Sequence, residues 1–198
     1  MKCDVILAGV GGQGVLSVAA IIAQAAVNEG LTVRQSEVHG MAQRGGAVQA
    51  HLRISDEAIA SDLVPRGGAE LIIAMEPLEC LRYATWLKPQ GVMVTAAEPL
   101  INIGNYPDIN EIIASIKSFA NRRIIEAAAL AKEAGLSRTV NMVMVGAASP
   151  FLPIKAETLT ATITSVFAQK YTEQVIAANM TAFRLGRDAA EEKQGGKS

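Results

Sequence analysis

Three observations predict an α/β fold for this 198-residue chain. Short, almost wholly apolar runs at residues 5–8, 71–75 and 92–96 read as strands buried on both faces of a parallel sheet. Between them lie segments whose apolar residues recur at three- and four-residue steps, the helical period. The first strand also passes into the first helix through a turn in which Gly9, Gly11 and Gly14 fall at G-x-G-x-x-G spacing, with Gly12 as an extra glycine. Strand, glycine turn and helix form the first half of a βαβ unit. The class expected is therefore α/β: a Rossmann-like, mostly parallel sheet flanked by helices, with a helical C-terminal extension.

The elements follow in order. After Val15, residues Leu16, Ala19, Ala20, Ala23 and Val27 give a helix to about Asn28, closed by Glu29-Gly30 with glycine as the left-handed cap. A second strand is expected at 31–36, then a ten-residue loop at 37–46. Residues 47–54 alternate, with Val48, Ala50, Leu52 and Ile54 on one face and Gln49, His51 and Arg53 on the other, so His51 is expected to face solvent or a partner. The strand at 71–75 leads into a helix from Glu76-Pro77 to about Leu87, a turn at 88–91 and a strand at 92–96. A loop at 99–107 precedes a helix capped by Asp108, with a stripe of Ile109, Ile112, Ile113, Ile116 and Phe119. Ile124-Ile125 reads as a strand, 127–134 as a helix stopped by Gly135, and 141–147 as a buried helix whose Met142 and Met144 belong to the core. Two more helices are expected at 156–169 and 171–192, the last with Val175, Asn179, Ala182 and Leu185 on one face. Residues 1–190 are read as one domain without internal repeat or linker, and 191–198 as a disordered tail.

Composition removes several function classes. Aromatic residues are 4% of the chain, too few for base-stacking platforms, and the net charge of −1 comes without a basic run, so no nucleic-acid partner is expected. No apolar stretch is long enough to span a bilayer and no signal peptide is visible, which suggests a cytoplasmic protein. Cys3 and Cys80 alone cannot make a four-thiolate cluster or zinc site, and no metal ligands or catalytic residues are assigned.

Candidate binding residues fall in two glycine loops on one predicted sheet edge. Gly9, Gly11, Gly12, Gln13 and Gly14 leave backbone N–H groups at a helix N-terminus, where the dipole favours an anion; the same glycines would also serve close strand–helix packing alone. A nicotinamide site would place an acid at the end of the second strand, about 20 residues past the glycines. Glu37 comes 23 positions after Gly14, so that signature is incomplete. The second loop holds Glu37, His39, Gln43, Arg44, Gly45 and Gly46. Arg44-Gly45-Gly46 can offer a cation and bare N–H groups to a phosphate or carboxylate, and Arg44 can equally pair with Glu37 to shape the loop.

These segments carry a resemblance. GVGGQGV at 9–15, SEVHGMAQRGGA at 36–47, VNMVMVGA at 140–147 and the late Asn179-x-x-Ala182-Phe183-x-x-Gly186 resemble the gamma domain of 2-oxoacid:ferredoxin oxidoreductases over almost the whole chain. Within that family the chain is most similar to the short beta subunits of the indolepyruvate-using group. The resemblance implies a component of an enzyme that oxidatively decarboxylates a 2-oxoacid, here an aryl pyruvate, to an acyl-CoA and reduces ferredoxin. It implies that thiamine diphosphate, Mg2+ and [4Fe–4S] clusters lie on a larger partner subunit and that ferredoxin is reached through the complex. It also implies coenzyme A as co-substrate, its phosphates suiting Arg44 or the helix start after Gly11, and an inactive isolated chain. A stand-alone nucleotide- or flavin-binding oxidoreductase and a non-catalytic scaffold of the same fold remain open at this point.

Overall fold

The computed structural model describes residues 1–39, 45–101 and 104–192, with the side chain of His39 outside that description. Six strands, β1 (Lys2–Val10), β2 (Thr32–His39), β3 (Ala47–Ser55), β4 (Ala69–Ala74), β5 (Leu87–Ala96) and β6 (Arg122–Ile125), form one sheet in the order β2-β3-β1-β4-β5-β6. β1, β4, β5 and β6 run parallel, whereas β3 lies antiparallel between β1 and β2. The helices are α1 (Val15–Asn28), α2 (Pro77–Arg82), α3 (Ile109–Lys117), α4 (Ala127–Glu133), α5 (Val140–Ala148), α6 (Ala156–Ala168) and α7 (Glu173–Glu192).

Both faces of the central strands are covered, which is why their sequences are continuously apolar. Val5 and Leu7 face a core shared with α1, α4, α5, α6 and α7, while Ile6 and Ala8 face a second core under α2 and α3. Cys3 belongs to the first core and Cys80 to the second, so the two thiols lie on opposite sides of the sheet. The C-terminal helices are less an extension than the lid of the larger core, with α5 sandwiched between the sheet and α7. Met142 and Met144 are fully buried there, as their helical stripe predicts.

Several expectations are corrected. β2 continues to His39, so Glu37 and His39 stand in a strand; the hairpin with β3 extends the ladder through Glu37↔Ala50 and His39↔Val48. The helix after Glu76 ends at Arg82 and passes through a 3-10 turn at Ala84–Trp86, and β5 then starts at Leu87. Lys88-Pro89-Gln90-Gly91 has the composition of a turn but forms an irregularity inside the strand, where the register against β4 shifts between Ala69 and Leu71. α7 begins at Glu173, two residues later than expected, and ends at Glu192 as expected; 193–198 lie outside the described residues.

His51 is also corrected: it is 5% exposed. Its face of β3 is covered by the segment around 61–64 rather than by a helix. Val64 N–H donates to His51 Nδ1 at 3.0 Å. Arg53, on the same face, donates to the carbonyls of Ser61 and Leu63 and makes a two-pronged pair with the buried Asp4, Nε–Oδ1 2.8 Å and Nη2–Oδ2 3.1 Å. Alternation in the sequence identified the polar face of β3 but not the loop that covers it.

Candidate functional site

The glycine turn sits where β1 ends, beside the C-terminal end of β4. Gly9 leaves no room for a side chain: a Cβ there would lie 2.7 Å from Val15 Cγ2 and 3.0 Å from Met75 Cβ. Gln13 ties the turn to both strands. Its Oε1 accepts from Val10 N–H at 2.8 Å and its Nε2 donates to the Met75 carbonyl at 3.1 Å. Gly14 is the α1 N-cap at φ 81°, a left-handed conformation that glycine adopts without steric penalty. Among the described residues no side chain caps α1 and no acid stands in its first turn, so its N-terminal N–H groups and dipole are suited to an anion.

The second loop reaches the same edge, as the two glycine loops predict. Gly11 N–H donates to the Gly46 carbonyl at 2.9 Å, and Val10 pairs with Ala47 at the end of the ladder. Gln43 and Arg44 lie outside the described residues. Gly45 takes φ 77°, consistent with a glycine turn at the end of that loop. Glu37, the residue nearest a nucleotide-type acid, stands on β2, separated from β1 by β3 and so roughly 10 Å away across two strand spacings. The neighbouring parallel strand that a dinucleotide site requires at that position is replaced by an antiparallel one.

Other residues complete the concavity. A cavity of about 410 Å3 is lined by Gly12, Gln13, Gly14 and Met75 on one side and by Ser137, Arg138, Val140 and Asn141 on the other. Asn141 stands against Gly14, close enough that a Cβ on the glycine would lie 3.5 Å from Asn141 Nδ2. α5 also starts here, from Thr139, whose own side chain does not cap it, although Asn141 Oδ1 accepts from Met142 N–H at 3.0 Å. Two helix N-termini and the Arg138 guanidinium therefore converge on one cavity, an arrangement suited to an anionic group. Behind it, buried Glu76 follows Met75, caps α2 through Glu79 N–H at 2.9 Å, and accepts from the Tyr106 hydroxyl. Burial and the Glu76 carboxylate push the Tyr106 phenol well above its ordinary range, so it stays a donor. Sequence reasoning missed Ser137, Arg138 and Glu76. The available signal was Arg138 immediately ahead of an apolar helix, the same polar-loop-then-helix pattern that marks Gly9 to Val15.

Fold and site thus define an α/β protein with a glycine turn and two helix starts facing one cavity. The chain belongs to the pyruvate ferredoxin/flavodoxin oxidoreductase family, whose model matches residues 4–189. It is 35% identical to the indolepyruvate oxidoreductase subunit IorB of Archaeoglobus fulgidus and 36% identical to that of Pyrococcus horikoshii, in each case over 96% of both chains. Among solved structures it is similar to the 2-oxoglutarate:ferredoxin oxidoreductase of Magnetococcus marinus with 2-oxoglutarate, coenzyme A and succinyl-CoA bound, at TM-score 0.78 and 26% identity. It covers 96% of this chain but only 31% of that longer one. The gamma subunit of a keto/oxoacid ferredoxin oxidoreductase from Geobacter sulfurreducens shares the fold at TM-score 0.70, covering 96% of this chain and 99% of the other.

Proposed function

We propose that this chain is the small subunit of an indolepyruvate-type 2-oxoacid:ferredoxin oxidoreductase, inactive alone and completed by a larger subunit that carries thiamine diphosphate, Mg2+ and the [4Fe–4S] clusters. The end-to-end match to the IorB subunits carries this reading. The thiols support it: Cys3 and Cys80 are buried singly on opposite faces of the sheet, and no group of three or more His, Cys, Asp or Glu side chains among the described residues is arranged to hold a metal. Two cysteines are too few for a four-thiolate cluster. Its own contribution is a binding one. The α1 start after Gly11, the α5 start and Arg138 hold an anionic part of coenzyme A at the edge of the assembly's active site. No helix among the described residues is long and apolar enough to cross a membrane.

The test is reconstitution. The purified chain should be colourless and fail to reduce a viologen dye with any 2-oxoacid. Adding the large subunit and coenzyme A should restore dye reduction, with aryl pyruvates preferred. Turnover by the isolated chain overturns the subunit reading, and preference for pyruvate overturns the substrate class only.

A further inference from the structure

A second concavity, of about 560 Å3, opens between α1, the start of α5, the end of α6 and the first turns of α7. Its floor is apolar, with Ile21, Phe167 and Val175 prominent, and the Phe167 and Tyr171 rings stack at 5.3 Å between centroids. Its lining contains two cations, Arg138 and Lys170, and no acid, in a chain whose net charge is −1. Among the described residues neither cation has an ion-pair partner. The apolar surface also spills over the lip: Val166 is 40% exposed and Tyr171 is 53% exposed. A small ligand on the floor would leave that lip wet, whereas a polypeptide covers floor and lip together.

We infer that this groove is where the large partner subunit docks, through a segment that inserts an apolar side chain over Phe167 and Val175 and sets a carboxylate against Lys170. The inference rests on the reading of this chain as a small subunit. It adds the surface and the chemistry of its partner. Because Arg138 lines both this groove and the cavity at the glycine turn, docking here closes one side of the anion site. An inserted apolar anchor with a paired charge at its rim is the arrangement that concentrates binding energy in protein interfaces.

The experiment uses the full chain and the purified large subunit. Wild-type association is measured first by calorimetry; its absence defeats the small-subunit reading itself. Val166→Asp, Lys170→Glu and Tyr171→Asp are then compared, each melted alone to show that it folds. The residues are on the surface, so melting temperatures should stay near wild type while each affinity for the large subunit falls about tenfold or more. The Lys170→Glu loss should shrink as salt rises, since it reports a charge contact. Wild-type affinity in all three variants overturns the inference. So does protection of the groove only in a dimer of this chain, or its occupation by a small aryl carboxylate while the large subunit stays bound.

Discussion

Gly146 and Gly186 face one another where α5 crosses α7: a Cβ on Gly146 would stand 1.9 Å from the Phe183 carbonyl oxygen, and a Cβ on Gly186 1.9 Å from that of Val143. The backbones touch reciprocally, and no rotamer change can relieve a methyl group placed there. Gly146→Ala or Gly186→Ala must drive the helices apart and loosen a core in which Met142, Val143 and Ala182 are fully buried. Each should destabilise the isolated chain by about 3 kcal/mol, read from urea midpoints. A loss below about 0.5 kcal/mol would show that α7 is free to shift.

Gln13 gives the second prediction. Its amide bridges Val10 N–H and the Met75 carbonyl, so it holds the glycine turn against both β1 and the end of β4. Gln13→Ala deletes both bonds and should cost about 1–2 kcal/mol in urea unfolding. Gln13→Glu keeps the acceptor but sets a carboxylate against the Met75 carbonyl, so it should be at least as harmful despite its similar shape. Equal stability of wild type and both variants removes Gln13 as the clasp.

Burial, and secondarily Arg53, hold the His51 imidazolium below its ordinary range. With Nδ1 accepting from Val64 N–H, the neutral ring carries its proton on Nε2, and the adjacent Gln49 side-chain amide accepts it only through its oxygen. The sign follows from linkage. The folded pKa is depressed, so between it and the unfolded value of about 6.5 the unfolded chain binds more protons. His51 therefore adds no penalty above that value, and stability falls as pH drops below it. His51→Gln should remove this part of the pH dependence. Thermal melts of both proteins from about pH 7.5 to about pH 5.5 should diverge toward the acid end. Parallel curves would show that His51 is protonated in place.

Desolvation pushes both thiols, Cys3 and Cys80, up to about 12. At pH 8 both thiols stay protonated, and both are buried. The native chain should resist iodoacetamide at that pH while the urea-unfolded chain takes up two equivalents. Rapid labelling of native Cys80 would contradict its burial on the core-facing side of α2.

The parts of this fold that the sequence made legible are those fixed by local chemistry. The turn from Gly9 to Gly14, the Asp108 cap, the Gly30 and Gly135 helix stops and the buried runs of β1 and β4 each follow from residue type and spacing within a few positions. What stayed hidden depends on distant partners. His51 is buried by residues that come ten or more positions later, β2 is prolonged by its pairing with β3, and Lys88 to Gly91 bulge between Leu87 and Val92, which both pair with β4. The antiparallel insertion of β3 has no local signature, since its alternation fits either direction. The candidate site divides in the same way: its glycine half was readable, but Arg138 and Asn141 join it only through the packing of α5 beside α1. Gly146 and Gly186 stood in segments that marked the resemblance, and their reason is a contact between helices about forty residues apart in sequence.

The last prediction separates binding from stability at Arg138. The guanidinium lines the cavity with Gly12, Gln13 and Gly14, next to the starts of α1 and α5. Among the described residues it makes no ion pair or hydrogen bond within the chain. Removing it therefore breaks nothing in the fold, and Arg138→Ala should leave the stability of the isolated chain within about 0.5 kcal/mol. In the reconstituted complex an anion bound there would lose a charge-assisted contact equally in the ground and transition states. The KM for coenzyme A should then rise about tenfold with kcat nearly unchanged, the pattern of lost uniform binding. Arg138→Lys should recover only part of that loss, because the ammonium keeps the charge without the planar two-pronged fit to phosphate. Because Arg138 also borders the α6–α7 groove, association with the large subunit is measured in parallel: a KM effect with intact association places the anion at Arg138, and an unchanged KM takes Arg138 out of the site.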